Sequence, residues 1–428
     1  MGLPHYELRC QGCEGTFEDD GLVLACPEQH EPALLVADYK DKRFEPDPEV
    51  EGIFRYRRWL PGTQPLPGAG GSVTYKSEKL NRAIGLLNVW VVFNGYWPER
   101  GAALETASFK DLEAWAVLSR IGGQHERVLV LASAGNTAAA FARACSLNGV
   151  PCLIVVPEAA FTGLRFPDAL DPCVKIVSLT GFTDYSDAIA LAERASQIDG
   201  FFPEGGVKNV ARRGGLGTTL LNAVEEIGEI PRYYFQAIGS GAGAIGAHEA
   251  AKRLADDGRF GEEPPRLVLS QNLPFVPIYT SWKSGRRELV KIDENDGKKQ
   301  TQQMIAQVLS NRRPPYSCKG GVFDILTETS GDMLTADNFE ALHAKRLFEE
   351  TEGIDIDPAS AVAFATLLKV ARYDGIERDA PVLLNITGGG RERQRLDKDL
   401  IPAQPALEFD EKEILLDETP EKMADLFR

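Results

Sequence analysis

Residues 127–156, RVLVLASAGNTAAAFARACSLNGVPCLIVV, carry the pattern that decides the fold. Residues 127–132 form a short apolar run with β-branched side chains, and residues 136–147 are alanine-rich with helical spacing. Asn148 and Gly149 are typical of a helix end, and residues 150–156 are apolar again. The stretch therefore predicts a strand, a helix and a second strand.

The same alternation recurs along the chain. Helices are predicted over residues 183–198, with Thr183 or Asp184 as the N-cap, and over 244–255 and 359–373. Strands are predicted over 233–238, 266–269 and 381–386. Alternating strands and helices indicate an α/β fold with open parallel sheets and right-handed crossovers. Ligands of such sheets bind at the carboxyl ends of the strands.

Composition excludes several classes of protein. The chain has 428 residues, of which 43% are hydrophobic, so a disordered chain is excluded. No apolar run reaches about 18 residues and no signal-peptide pattern opens the chain, so we expect a cytoplasmic protein without a membrane partner. With 47 Lys and Arg against 63 Asp and Glu, the net charge of −16 argues against a nucleic-acid partner. Small molecules are the expected partners.

Four residues near the N-terminus have the spacing of a metal site. Cys10, Cys13, Cys26 and His30 follow C-x2-C-x12-C-x3-H, which could place four ligands around a tetrahedral zinc. The alternatives are a vestigial ribbon with free thiols and a hairpin whose cysteines merely pack. The remaining cysteines, at 145, 152, 173 and 318, are interpreted as small core residues.

A lysine opens a predicted helix in residues 106–111, TASFKD. A helix N-terminus disfavours positive charge, so Lys110 should lose its proton more easily there. A neutral amine is what a Schiff base requires. The alternative is an ordinary exposed lysine.

Two turns between a strand and a helix have the character of anion sites. Residues 132–137, ASAGNT, offer backbone N–H groups to a carboxylate or phosphate. Within them, Asn136 either caps the helix or offers its amide to a ring hydroxyl. Residues Gly239, Ser240, Gly241, Ala242 and Gly243 form the second turn, which suits a phosphate. A dinucleotide is disfavoured, because Ser270 and Gln271 stand where a ribose-binding carboxylate would be.

The fourth segment is residues 385–390, NITGGG, at the end of a predicted buried strand. Thr387 is placed to hydrogen-bond a ligand atom; alternatively, it is a structural residue in a glycine turn. Together the four segments supply a Schiff-base lysine, a phosphate cup, a carboxylate site and a ring partner. Pyridoxal phosphate is the cofactor that uses all four.

The order of several short motifs along the chain indicates a protein family. The stretches that carry the resemblance are 93–99 (FNGYWPE), 108–110 (SFK), 132–137 (ASAGNT), 203–206 (PEGG), 208–213 (KNVARR) and 271–277 (QNLPFVP). From about residue 6 to 393 the chain resembles the threonine synthase family of fold-type II pyridoxal-phosphate enzymes, and most of all its cysteate synthase branch. Residues 104–107, LETA, stand where threonine synthases typically carry proline-threonine-glycine, which puts threonine synthase activity in doubt.

The resemblance implies an architecture of two open parallel-sheet α/β domains with the active site in the cleft. A zinc-ribbon-like segment would span 1–35. A large domain that binds the cofactor phosphate would span 36–105 and 215–428. A small domain carrying the Asn136 loop would span 106–214. A homo-oligomer is expected from the same resemblance.

The resemblance also implies an activity, the β-replacement of O-phospho-L-serine by sulfite to give L-cysteate and phosphate, early in coenzyme M biosynthesis in methanogenic archaea. Lys110 would hold the cofactor and act as the base at Cα. Asn136 would lie near the ring hydroxyl and Thr387 near the pyridine nitrogen. The backbone of Ser133, Ala134, Gly135 and Thr137 would hold the substrate carboxylate.

The leaving phosphate and the incoming sulfite both require positive charge. One candidate cluster is Lys208, Arg212 and Arg213, and we expect at least one of these arginines to bind substrate. A second cluster is Arg391 and Arg393. The alternative for each is a solvated helix or loop face.

Three other functions stay open on the residues alone. The first is a threonine synthase acting on O-phosphohomoserine. The second is a cysteine synthase using phosphoserine and sulfide. The third, from a different class, is a catalytically silent ligand-binding regulator.

Overall fold

The computed structural model describes residues 5–62, 64–122, 126–373 and 375–428. The α-helices in these ranges are α1 Glu78–Ile84, α2 Lys110–Ile121, α3 Asn136–Asn148, α4 Glu158–Phe161, α5 Tyr185–Ala195, α6 Val210–Ile227, α7 Ala242–Asp257, α8 Pro277–Lys283, α9 Glu294–Gln303, α10 Val322–Glu328, α11 Asn338–Glu352, α12 Pro358–Arg372, α13 Arg391–Asp397 and α14 Thr419–Ala424. None of the helices within the described ranges is long and apolar enough to cross a membrane.

The strands are β1 Tyr6–Cys10, β2 Thr16–Phe17, β3 Leu35–Tyr39, β4 Val73–Lys76, β5 Val89–Phe93, β6 Tyr96–Trp97, β7 Ala102–Ala103, β8 Val128–Ala132, β9 Cys152–Pro157, β10 Arg165–Phe166, β11 Val174–Leu179, β12 Phe201–Pro203, β13 Tyr233–Ala237, β14 Arg266–Asn272, β15 Asp332–Ala336, β16 Val382–Ile386, β17 Ile401–Pro402 and β18 Leu407–Phe409.

The larger sheet has six strands in the order β15-β14-β13-β16-β5-β4. All its pairs are parallel except β4 with β5. Every residue of β13 and of β16 is buried, as expected for central strands of a parallel sheet that is covered on both faces. The carboxyl ends of these two strands lead into the turns at 238–241 and 387–390.

The smaller sheet has five parallel strands in the order β12-β8-β9-β11-β18. Its centre is the β8–α3–β9 unit, which confirms the strand, helix and strand predicted from residues 127–156. The buried side chains of β9 and β11 alternate between two cores, because Ile154 and Ile176 contact the main cluster whereas Leu153 and Val177 contact a separate one. The α/β class with open parallel sheets is confirmed.

The C-terminal tail belongs to the smaller sheet, so the domain division expected from the sequence is wrong at this end. Strand β18 pairs with β11 along its edge, and Met423 of α14 is fully buried in the core beneath. Strand β18 pairs with the backbone N–H and C=O groups along the edge of β11 and supplies Phe409 to the core. The predicted boundary at 214/215 also falls inside the continuous helix α6. The other domain boundaries stay a proposal.

The N-terminal ribbon is a small antiparallel sheet in the order β2-β1-β3. It extends to Tyr39, beyond the expected limit at residue 35. The backbone N–H of Leu34 donates to the carbonyl of Lys319 at 2.9 Å. The segment before α10 thus holds the ribbon in place through its backbone.

Candidate active site

One cavity receives all four segments singled out in the sequence. It is lined by Lys110, by residues 133–137 after β8, by residues 239–243 after β13 and by Thr387 after β16. Both sheets thus contribute the carboxyl ends of their strands to the same cavity. Arg212, Tyr185 and Asn311 also line it, whereas Lys208 and Arg213 do not.

Lys110 is the first residue of α2, as predicted. Its side chain is 18% exposed, and Nζ donates to Oε2 of Glu113 at 2.8 Å. Burial is the main cause that lowers the pKa of Lys110; the charge of Glu113 opposes this effect and that of Arg212 adds to it. The sequence prediction attributed the lowered pKa to the helix N-terminus, whereas the structure points to desolvation as the leading cause.

The backbone before Lys110 is joined to the Thr387 turn. The N–H of Phe109 donates to the carbonyl of Thr387 at 2.9 Å, and the N–H of Gly389 donates to the carbonyl of Ala107 at 3.1 Å. Ala107 has a left-handed φ of 52°, which costs energy for a residue with a Cβ. These bonds fix the start of α2 against the end of β16, so the lysine and Thr387 lie on one rigid frame.

A buried charge network surrounds the lysine. Glu113 is fully buried, and its Oε1 accepts from Oγ1 of Thr137 at 3.0 Å and lies 3.2 Å from Nη1 of Arg212. Glu204 holds the same guanidinium from the other side through two contacts of 2.8 and 2.5 Å. Two buried carboxylates therefore fix the plane of Arg212 at the cavity wall.

Asn136 is oriented by an arginine from the other domain. Gly135 is the N-cap of α3 and Asn136 is its first residue. Nη2 of Arg391 donates to Oδ1 of Asn136 at 3.0 Å, and Nε of Arg391 pairs with Asp357 at 2.8 Å. In the described part of the chain, the Asn136 amide nitrogen has no protein acceptor and stays available to a ligand. Arg391, a residue of the second candidate cluster for anion binding, contacts Asp357 and Asn136 and is not among the residues that line the cavity.

The turn at 133–137 is a nest of amides held by a serine. Oγ of Ser133 accepts from the N–H groups of Gly135 at 3.0 Å and Ala138 at 2.9 Å. This hydroxyl therefore caps the helix, a role that the sequence reading had considered for Asn136. The backbone N–H groups of Ala134, Asn136 and Thr137 donate to no acceptor among the described residues, which leaves them free for an anion.

The turn at 239–243 has the geometry of a phosphate cradle. Gly241 is the N-cap of α7 with a φ of 85°, a conformation that glycine adopts without strain. The helix begins at Ala242, two residues earlier than predicted. The N–H of Ala242 donates to Oγ of Ser240 at 3.4 Å, and Gly243 adds an N–H of the first helical turn, which has no partner within the helix. Backbone N–H groups of Gly239, Ser240 and Gly241 also have no acceptor within the described ranges. These donors fit the phosphate of the predicted cofactor.

Behind the cavity, a buried polar network supports the strand ends. Nδ2 of Asn385 donates to the hydroxyl of Tyr234 at 2.7 Å and to Oε1 of Gln236 at 3.0 Å, and Asn94 donates to Oδ1 of Asn385 at 2.8 Å. Thr387 is 6% exposed, and its Oγ1 lies 3.4 Å from Oγ of Ser360. Thr387 thus lines the cavity on a rigid support, which fits a partner for the cofactor ring.

Two predicted substrate residues lie outside the cavity. Arg213 is fully buried; it pairs with Glu249 at 2.9 Å and donates to the carbonyls of Val207 and Leu35. It therefore joins α6 to the ribbon and has no surface for substrate. Lys208 is exposed outside the cavity lining. In the second basic cluster, Arg393 pairs with Glu99 and Asp397 on the surface. Of the first cluster, Arg212 alone reaches the cavity.

The predicted metal ligands lie together in the ribbon. Cys10, Cys13, Cys26 and His30 bring their ligand atoms within 4.8 Å of one another. This cluster shares no residue with the cavity described above.

The sequence predictions missed several residues that line the cavity or lie behind its wall. Glu113 had a local signal, because it lies three residues after Lys110 and so on the same helix face. Glu204 is part of the PEGG stretch but received no role. Tyr185, Gln236 and Asn311 gave no local signal, since only the packing of distant segments brings them to the cavity.

Comparisons with known proteins agree with this geometry. The family model described as pyridoxal-phosphate dependent enzyme matches residues 94–388. The chain is 45% identical over 417 residues to the cysteate synthase of Methanosarcina mazei, covering 97% of this chain and 99% of that protein. It is 46% identical over 415 residues to the cysteate synthase of Methanocella paludicola, covering 96% of each.

A solved structure shows the same fold at much lower sequence identity. Diaminopropionate ammonia lyase from Escherichia coli superimposes with a TM-score of 0.58 at 17% identity, covering 82% of this chain and 93% of that chain. The chain belongs to the fold-type II family of pyridoxal-phosphate-dependent enzymes and groups there with the cysteate synthases.

Proposed function

We propose that the chain catalyses the replacement of the phosphate of O-phospho-L-serine by sulfite, which gives L-cysteate and phosphate. The observation that carries the proposal is the convergence of Lys110, two turns with free amides and Thr387 on one cavity, in a chain that is similar to cysteate synthases along nearly its whole length. Such an enzyme would act early in coenzyme M biosynthesis.

The chain's residues fit pyridoxal phosphate. Lys110 would form the covalent link, the amides of 239–243 would hold the phosphate, Asn136 would contact the ring hydroxyl and Thr387 the ring nitrogen. When bound, this cofactor withdraws the electron pair that is left when a proton departs from Cα of an amino acid. A hydroxyl partner at the ring nitrogen leaves that nitrogen unprotonated, which favours elimination over transamination.

Lys110 moves the proton in the proposed reaction. Its lowered pKa keeps a fraction of the amine neutral, so it can take the Cα proton of phosphoserine and later return it to the product. Between these two transfers the Cβ–O bond to phosphate breaks, and sulfite forms the new Cβ–S bond. Glu113 holds the amine at 2.8 Å and thereby sets its position in the cavity.

Binding of the anions falls to the backbone and to Arg212. The free amides of Ala134, Asn136 and Thr137 would hold the substrate carboxylate. Lys110 and Arg212 are the cationic side chains among the described cavity residues, so Arg212 is the candidate partner for the departing phosphate and the incoming sulfite. Because the plane of the Arg212 guanidinium is fixed, it can bind an oxyanion such as sulfite or phosphate in one preferred orientation.

A single assay tests the proposal. Purified protein loaded with pyridoxal phosphate is incubated with phosphoserine and with or without sulfite, and both phosphate and cysteate are measured. We expect one cysteate per phosphate when sulfite is present. Threonine from phosphohomoserine, or cysteine from phosphoserine and sulfide at a higher kcat/KM, would replace the proposal by one of these two activities. Absence of turnover with phosphoserine and sulfite, with phosphoserine and sulfide, and with phosphohomoserine would favour a ligand-binding regulator.

The assembly state and the cellular location stay predictions. A homo-oligomer and a cytoplasmic location are expected from the resemblance and from the composition. Light scattering on the eluate of a sizing column measures the first, and a monomer mass would contradict it.

A further inference from the structure

Four side chains of the ribbon form a cluster in which the ligand atoms are spaced as they are around a metal ion. Every pair of ligand atoms in Cys10, Cys13, Cys26 and His30 lies within 4.8 Å. Sγ of Cys13 is 3.7 Å from Sγ of Cys26, and Sγ of Cys10 is 3.3 Å from Nε2 of His30. A tetrahedral zinc, with bonds of about 2.3 Å to sulfur and about 2.0 Å to nitrogen, separates its ligand atoms by about 3.5 to 3.8 Å. The cluster is therefore close in size to a zinc coordination shell.

The imidazole is oriented for metal binding. Nδ1 of His30 lies 2.6 Å from the carbonyl oxygen of Glu31. Since a carbonyl can only accept, Nδ1 carries the proton and Nε2 faces the cysteines with its lone pair. Metal-bound histidines are commonly fixed by such a contact, which sets the tautomer and the ring direction.

The turn that carries Cys10 and Cys13 is shaped around this histidine. The backbone N–H of Gly12 donates to Sγ of Cys10 at 3.3 Å, a bond that stabilises a thiolate. A Cβ at Gly12 would lie 2.8 Å from Cε1 of His30, so a residue larger than glycine would push the ring away. Local backbone and side chains thus support one ligand arrangement.

We propose that Cys10, Cys13, Cys26 and His30 bind one Zn²⁺ as a structural site. Three thiolates and one imidazole fill the tetrahedral positions and leave none for water or substrate, which distinguishes a structural zinc from a catalytic one. The site shares no residue with the active-site cavity, so a protein without zinc would contradict this proposal without bearing on the proposed reaction.

The loop between the ligands packs on the helix that bears Lys110. In this loop, residues 13–26, Asp19 forms an ion pair with Arg120 at 2.8 Å, and both side chains are 1% exposed. Arg120, in the last turn of α2, also donates to the carbonyl of Val23 at 2.7 Å. Leu24 packs against Gly205, the neighbour of Glu204, which holds Arg212. A metal that ties both ends of this loop therefore stabilises its packing beside the active site.

Metal content tests the site directly. The full-length protein, purified under reducing conditions from zinc-supplemented medium and dialysed against metal-free buffer, is expected to contain about one zinc per chain. The Cys13→Ser/Cys26→Ser double variant should lose the zinc, whereas the Cys173→Ser control, in a loop far along the chain, should retain it. A wild type without zinc, a double variant with the full amount, or iron in place of zinc would overturn the assignment.

A second measurement uses only the wild type and so does not depend on whether the double variant folds. A mercurial reagent is titrated into the wild type, and released zinc is followed with a chromogenic chelator. We expect release to track the modification of about three thiols per chain. Zinc that leaves without any thiol modification, or stays after all thiols have reacted, would contradict thiolate ligation.

The stabilising role has its own readout. Removing the metal with a strong chelator should lower the Tm of the wild type and of Cys173→Ser, but not that of the double variant. An equal change in all three proteins, or no change in any, would show that the cluster does not stabilise the ribbon through a metal.

Discussion

Nζ of Lys110 lies 2.8 Å from Oε2 of Glu113, one turn further along the same helix. The carboxylate is fully buried, and it also contacts Thr137 and Arg212. The lysine that we propose as the base is therefore subject to opposing influences: burial and the charge of Arg212 lower its pKa, while Glu113 raises it. Glu113 therefore holds the amine in position and opposes the effect of burial on its pKa.

Replacing Glu113 by Gln removes the larger of the two carboxylate charges that raise the pKa of Lys110 and keeps a side chain of the same shape. The pKa should fall further, so a larger fraction of the amine is neutral at a given pH. The acidic limb of the pH profile for capture of pyridoxal phosphate by the cofactor-free protein should move to lower pH, as followed by absorbance. Glu408→Gln, at an exposed carboxylate, is the control. A limb that moves to higher pH would contradict the assignment.

Lys110→Ala should abolish the covalent attachment of the cofactor. We expect no imine absorbance after addition of pyridoxal phosphate, no cofactor retained covalently after reduction with borohydride, and a loss of turnover of at least about 10³-fold. Lys208→Ala removes an exposed lysine outside the cavity and should keep both properties near the wild type. Retained imine absorbance in the Lys110 variant would remove this residue as the cofactor lysine.

Substitutions of the two neighbouring arginines of α6 should have different effects, one on substrate binding and the other on stability. Arg212→Lys keeps the charge but loses the fixed planar fork, so the KM for phosphoserine should rise about tenfold with a small change in Tm. Arg213→Ala leaves Glu249 and two carbonyls without their buried partner, so the free energy of unfolding should fall by about 3 kcal/mol. An unchanged KM in Arg212→Lys would dismiss this arginine as a substrate ligand.

Arg391 is expected to act through Asn136. Arg391→Met removes the donor that orients the Asn136 amide, and loss of one such hydrogen bond, about 1 kcal/mol, corresponds to a roughly fivefold weaker cofactor affinity. Arg393→Met, at a half-buried arginine two residues further along that pairs with Glu99 and Asp397, is the matched control and should bind the cofactor normally. Fluorescence titration of the cofactor-free proteins measures both. Equal affinity in the two variants would show that Arg391 does not position Asn136.

Asp111 should make stability depend on pH. Burial raises the pKa of Asp111 to about 6, although the hydrogen bonds from Thr106 oppose the shift. Because the pKa is higher in the folded state than in the unfolded chain, protonation favours folding. This contribution is full below about pH 4 and is lost as the pH rises through about 6. Asn at this position does not titrate.

The Tm of the wild type, minus that of Asp111→Asn, should therefore decrease between about pH 4 and about pH 7. Thermal melts at several pH values measure this difference, and Asp417→Asn, at an exposed carboxylate, is the control. A difference that is constant or increases with pH would contradict the raised pKa.

Much of the fold could be predicted because its signals are local. The apolar run before Ser133 and the alanine-rich stretch after Gly135 fix a strand and a helix through their own periodicity. The tail gave no such signal. Its acidic residues give no sign of a strand, yet Leu407–Phe409 completes the edge of the smaller sheet. Edge pairing is a long-range contact, and a short strand carries too few residues to reveal it.

The sequence by itself determined the α/β alternation, the lysine at a helix start and the two amide-bearing turns, because each depends on residues next to one another in the chain. Tertiary structure decided which charges reach the cavity. Arg212 and Arg213 are neighbours in sequence, but successive helical residues point about 100° apart. One guanidinium therefore meets Glu113 and Glu204 at the cavity, while the other is buried against Glu249 and the ribbon.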